Sequence, residues 1–389
     1  MFTRVYQGSV KAAAVEHSIK KNDYTGLLLR FSKWLLHPVA FWPCADLPNW
    51  IRRTVYGCAI LVCGFIYVGL ISHLLQYFSD YKRSMDDISS LSTVFQTVVK
   101  LTILLQHSGT LKQILLTTLN SYWPNFFEPE LDGMLKKLYK QQMYTVVYLL
   151  FCALLFSAVF LLSPLVATER EIPYKSIYPF DWTATPMYQI TYALHFISIN
   201  LVDWIVVGFD SLFMGICFGL TCQYILLGRM FLELGNQRSP LLNGQYSMTQ
   251  CCPDRGTLVM CIKHMQLLSK TTENVEKVFN LAAAFQLGSS VVAICVSSFI
   301  ATRDDVDATQ IISMSSYLIG HLVQLFIYCN VGNELHFQSS QLSESIYTSR
   351  WNEVNCLKLK KDLVFVLMKS QVPAKITAFK VLTLNYETL

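Results

Sequence analysis

Charge is scarce in this chain. Only 15% of the 389 residues are Asp, Glu, Lys or Arg, against 53% hydrophobic, with a mean hydropathy of +0.37. So little charge excludes an ordinary soluble globular protein and points to an integral membrane one. The net charge of +5 is scattered over separate loops. It marks a membrane face, not a patch for nucleic acid. Catalytic signatures are missing as well: there is no phosphate-cradling Gly-rich loop, no HExxH and no convincing nucleophile–base set. The expectation is a non-enzyme without cofactor or metal. No cleavable leader is expected, because the first 25 residues are polar and amphipathic and the first long apolar run begins near Val55.

Cysteine is present but absent where it would matter for disulfides. All 12 fall in apolar runs or in segments expected to be cytosolic, and the outer stretches 79–90, 167–187 and 302–310 hold none. Disulfides form and persist outside the cell, so a disulfide framework is not expected. Cys251–Cys252 has no His or Cys cluster at ligand spacing.

What the chain does have is six long apolar runs: Val55–Phe78, Leu91–Leu111, Met143–Val166, Tyr188–Leu227, Val278–Ala301 and Ile311–Val331. Each reaches the roughly 20 residues that cross a hydrocarbon core. Lipid offers no partner to a free backbone group, so each should be a helix. Lys plus Arg outside the runs number 8, 2, 4, 2, 6, 1 and 7 from first segment to last. The large values alternate, which places both termini in the cytosol. The expected fold class is an all-α polytopic transmembrane bundle with a cytosolic N-terminus. Its parts are a cytosolic segment 1–54, spans one to four in 55–228, a cytosolic loop and helix 229–277, spans five and six in 278–331, and a cytosolic segment 332–389.

Two runs exceed the bilayer. Tyr188–Leu227 is proline-free for 40 residues, as is Ile311–Trp351 for 41, and a hydrocarbon core of about 30 Å takes about half of either. The excess should project into the cytosol. Apolar stripes continue there: Leu335, Leu342 and Ile346; Leu258, Cys261, Met265 and Leu268; Leu357, Leu363, Val364 and Leu367. They imply a cytosolic helical bundle that packs within one subunit or also joins subunits. The Gly-, Pro-, Asn-, Gln- and Ser-rich stretch Leu234–Arg255 reads as a flexible connection.

Ionisable residues inside spans are expensive and default to functional candidates. Lys100 sits mid-span and is either an ion pair or a neighbour of a ligand or ion path. Asp203 and Asp210, seven apart, share a face of the fourth helix; His195 and His321 fall in outer halves of spans four and six. Phe95, Phe160, Tyr192, Phe196 and Tyr317 cluster in the same outer halves, as interfacial belts or around an apolar pocket. The outer stretch Thr168–Met187, with Pro173, Pro179, Pro186, Tyr174, Tyr178, Phe180 and Trp182, either folds back as a lid or lies at headgroup level.

The run Gln324–Trp351 resembles the end of span six in insect odorant receptors. Tyr328–Cys329, Gly332-Asn333-Glu334-Leu335, Tyr347 and Trp351 carry the likeness, with Ser370-Gln371-Val372-Pro373 and Leu384-Asn385-Tyr386-Glu387-Thr388 further on. Looser matches are Trp42-Pro43, Lys100, Pro179-Phe180-Asp181-Trp182 and Asp210. The resemblance implies an inverted topology and a heterotetrameric ligand-gated cation channel made with a co-receptor, in the membrane of a sensory neuron dendrite. It implies a small apolar ligand in an outer-half cavity among spans two, three, four and six. By depth, the candidate pocket positions are Phe95, Ser157, Phe160, His195, Phe196, Ile199 and Tyr317. Subunits would meet through a cytosolic anchor including Leu335, Leu342, Ile346, Trp351, Leu357, Leu363 and Leu367.

The family pattern ends in a seventh, pore-lining helix. Thr377–Leu389 is 13 residues with Lys380, Asn385 and Glu387, too short and polar to span. The expectation is therefore six spans, with only the start of the last helix, and either a truncated isoform, an incomplete gene model or a non-conducting subunit. A gustatory receptor-like channel is the nearby alternative. A G-protein-coupled receptor would need an outside N-terminus, against the basic-residue count. A transporter would show inverted repeats, and none is visible.

Overall fold

The protein is described by a computed structural model over residues 24–45, 47–78, 81–123, 129–166, 170–234, 253–301, 308–352 and 356–388. Most of the connection Leu234–Arg255 lies outside the described residues, as does the segment before Tyr24. Nine helices occur among the described residues: α1 (Tyr24–Leu36), α2 (Asn49–Gln76), α3 (Tyr81–Gln106), α4 (Ser108–Asn120), α5 (Pro129–Val166), α6 (Met187–Leu232), α7 (Pro253–Ala301), α8 (Ala308–Thr348) and α9 (Leu357–Ser370). Two short strands follow, β1 (Thr377–Ala378) and β2 (Leu382–Thr383). The fold is all-α, as the apolar runs require.

Among the described residues, five helices are long and apolar enough to cross a membrane: α2, α3, α5, α6 and α7. The protein is a multi-pass membrane protein. α8, the expected sixth span, has the length at 41 residues. Its stretch Ile311–Tyr328 carries no charged residue, and the helix places Ser316, His321, Gln324 and Asn330 among its buried positions. These are polar residues facing protein, not lipid, and a bundle interior can hold them where lipid would not.

α6 is the axis of the bundle. Its most apolar 18-residue window is entirely buried, and it packs on α8, α1, α5, α7, α3 and α2. At 46 residues it is about 69 Å long, and the 49 residues of α7 make about 74 Å. Both exceed the bilayer, and α7 joins the expected cytosolic helix and span five without interruption. The short α1 reaches α6 because Gly208, Gly215 and Gly219 lie on one face. An added Cβ would stand 2.8 Å from Leu36, 3.0 Å from Leu29 and 2.8 Å from Thr25 respectively. Small residues at this spacing let helix backbones approach closely in an apolar medium.

Two expectations are corrected. The second span does not run through Leu111: α3 stops at Gln106, and α4 begins at Ser108 after a bend at His107. The polar run Gln106-His107-Ser108-Gly109 ends the lipid-compatible stretch, and Leu111, Ile114, Leu115 and Thr118 form the buried face of a separate amphipathic helix. The expected start of a last helix is instead a hairpin, with Thr377 opposite Thr383 and Ala378 opposite Leu382. Its residues are held from outside the hairpin. The Thr377 N–H donates to Glu276 Oε2 at 2.8 Å, Asn280 Nδ2 donates to the Thr377 carbonyl at 2.9 Å, and Tyr386 donates to Asn330 Oδ1 at 2.5 Å. Gly332 is needed there: a Cβ would meet the Leu384 carbonyl oxygen at 2.4 Å.

Of the anchor positions, Leu335, Leu342, Ile346 and Leu363 are buried in the main core, and Trp351 and Leu367 are packed against it. Leu357 is 70% exposed.

Candidate ligand cavity

The outer segment between α5 and α6 folds back into the bundle. Ile172, Tyr174, Ser176 and Tyr178 are buried, alternating with exposed Lys175. The latch is His195, fully buried on α6. The Tyr174 backbone N–H donates to its Nδ1 at 3.3 Å. Nδ1 is thus an acceptor, so the ring proton sits on Nε2 and is directed to the Tyr178 hydroxyl oxygen at 2.9 Å. Tyr178 stacks on Phe65 of α2 at 4.5 Å, and the Ile177 N–H donates to the Gly69 carbonyl at 3.1 Å. Burial pushes the Tyr178 phenol up to about 12. Further along the segment, Asp181 accepts from the Thr183 hydroxyl and backbone N–H, which holds its carboxyl below the usual range. Of the two readings of this segment, the lid describes the structure.

Beneath Tyr174 lies a small cavity of about 70 Å³. Its walls come from α3 (Thr93), α5 (Cys152, Phe156), α6 (Ile199, Asp203) and α8 (Tyr317, Gly320, His321). Phe156 sits 5.8 Å from Tyr317 and 4.5 Å from Phe160, which in turn lies 5.5 Å from Tyr174. Gly320 leaves open space where a side chain would be.

The expected pocket positions separate. Ile199 and Tyr317 line the cavity. Ser157 donates to Asp203, which also lines it. Phe160 backs the aromatic wall, and His195 holds the lid above. Phe95 and Phe196 are 44% and 49% exposed on the bundle's exterior, and neither lines the cavity. Phe156, Gly320 and His321 do line it, and only His321 had a sequence signal, as an ionisable residue in a span.

One helical turn deeper the cavity meets a buried polar cluster. Lys100 Nζ donates to Asp210 Oδ1 at 2.7 Å and to Gln286 Oε1 at 3.1 Å. Gln324, at the cavity floor, donates to Asp210 Oδ2 at 2.8 Å, and Tyr328 donates to Oδ1 at 2.8 Å. Gln96 donates to Gln286, and Gln286 donates to Gln324 at 3.1 Å. Asp210 therefore meets three donors, and a charge pair in a dry interior persists only with such compensation. Of the two alternatives for Lys100, the structure shows the ion pair. Asp203 and Asp210, equivalent by spacing, differ: one is paired with Lys100 and the other faces the cavity.

An all-α multi-pass bundle with a small cavity beneath a folded-back segment has the architecture of a small-molecule receptor of the membrane. Residues 80–389 match the family model described as 7tm Odorant receptor, and the chain belongs to that family. It is an insect-type odorant receptor. It is similar to Odorant receptor Or1 of Anopheles gambiae, 23% identical over 92% of this chain and 91% of the relative. It is also 21% identical to Odorant receptor 83a of Drosophila melanogaster, over 61% of each. The fold is shared with the olfactory receptor OR5 of Machilis hrabei solved in complex with eugenol: TM-score 0.78, 16% identity, 94% of this chain and 95% of that one. The same receptor solved without that ligand named gives 0.76.

Proposed function

We propose that the Tyr174-lidded cavity is the odorant site of this receptor. With co-receptor subunits, the chain forms an odorant-gated cation channel whose termini lie in the cytosol, placed in the membrane of sensory dendrites. The observation that carries this reading is the cavity itself. Tyr174 of a latched lid forms part of its wall, aromatics line it, and it is continuous at Gln324 with a buried cluster joining α3, α6, α7 and α8. A ligand that fits one arrangement of this cluster better than another shifts the balance between channel states by that difference in affinity. The anchor reading is supported by the excess length of α6 and α7. It is also supported by apolar residues left uncovered on α9, including Leu357, Phe365 and Met368.

The test is current recording in cells co-expressing the chain and a co-receptor, with G-protein signalling blocked. An odorant-evoked cation current should persist under the block and vanish in Gly320→Leu, which fills the cavity. A current abolished by the block contradicts the channel reading, and a Gly320→Leu receptor with wild-type sensitivity contradicts the site.

A further inference from the structure

We propose that the cavity selects small amines, with the Asp203 carboxylate as counter-charge to the ligand's ammonium group. The inference rests on the reading of the cavity as the odorant site and concerns the chemistry of its occupant.

Three hydroxyl groups at the cavity have already spent their donors, and Gln324 one of its two. Tyr317 donates to the Ser89 carbonyl at 2.9 Å, Thr93 to the same carbonyl at 3.1 Å, Ser316 to the Ile312 carbonyl at 2.8 Å, and Gln324 to Asp210. Asp203 has only the Ser157 hydroxyl, and no basic side chain pairs with it among the described residues. His321 is 4% exposed, and its Nδ1 has no partner among the described residues. A carboxyl group in an apolar bundle keeps its charge only at a cost, and a cation beside it lowers that cost. An ester or ketone brings another acceptor and relieves nothing. A hydroxyl brings one donor and no charge. An ammonium group brings three donors and the missing positive charge. The aromatic rings of Phe156, Tyr174 and Tyr317 line the same cavity, and such faces attract a cation. Size limits the ligand's body: about 70 Å³ holds roughly five atoms the size of a water.

Isobutylamine and isobutanol match that size and differ in the head group. Binding of each to the purified full-length receptor, followed by saturation-transfer NMR, tests the inference. The amine should bind about tenfold more tightly than the alcohol, and Asp203→Asn should remove that preference by weakening the amine alone. Ser157→Ala, which keeps the carboxylate, should retain the preference. Equal binding of the two probes, binding of neither, or an amine affinity unchanged in Asp203→Asn overturns the proposal. Its failure is separable from that of the cavity reading. An odorant current that Gly320→Leu abolishes keeps the cavity even if amines do not bind. Amine binding that survives Gly320→Leu puts the occupant elsewhere and overturns both.

Discussion

Lys100 and Asp210 show how the cost of a charge in an apolar interior is met by a partner. Lys100 and Asp210 neutralise one another at 2.7 Å with 1% and 0% of their side chains accessible. Removing one partner leaves the other uncompensated. Lys100→Met should therefore lower stability by about 3–5 kcal/mol, and adding Asp210→Leu should recover most of that. Thermal unfolding of the purified receptor checks both, and a double variant no better than the single one contradicts the pairing. His195 is held by two hydrogen bonds to the lid. His195→Phe should cost about 1–3 kcal/mol and speed amide hydrogen exchange across Ile172–Tyr178. Unchanged exchange there means that the lid is held by packing alone.

At the scale of elements, the glycine stripe of α6 sets where α1 lies. Gly219→Leu drives a side chain into Thr25 and Thr118, and should cost about 1–3 kcal/mol and reduce the yield of folded receptor. Gly320→Leu, facing open space, should not lower the melting temperature. Equal losses from both would contradict the assignment of one glycine to a contact and the other to a cavity. Much at this scale was legible in the chain. Apolar runs locate helices because lipid leaves backbone no alternative, and α6 and α8 outrun the bilayer as their proline-free lengths imply. The bend at His107 was hidden because apolar residues continue past it to Leu115, now facing protein instead of lipid. The hairpin at Thr377 was hidden because its partners, Glu276 and Asn280, lie about a hundred residues earlier. The Gly215-x-x-x-Gly219 spacing is a helix-packing signal carried by the sequence itself.

Over the whole molecule, the lid, the cavity and the Lys100 cluster form one column through the bundle. Position along a span did not tell which polar and aromatic residues face the cavity. Depth follows from position along a span, whereas facing depends on how six helices are rotated against one another. Phe95 and Phe196 share a depth with Tyr317 and Ile199, yet only the latter pair reaches the cavity. The central claim is that an odorant occupies this cavity beneath Tyr174. The most direct measurement is an experimental structure of the receptor bound to an agonist identified by current recording. Ligand density between Tyr174, Ile199 and Tyr317 is the predicted result. Density at the exposed face near Phe95, or in the groove between α7 and α9, with the cavity unfilled, would contradict it.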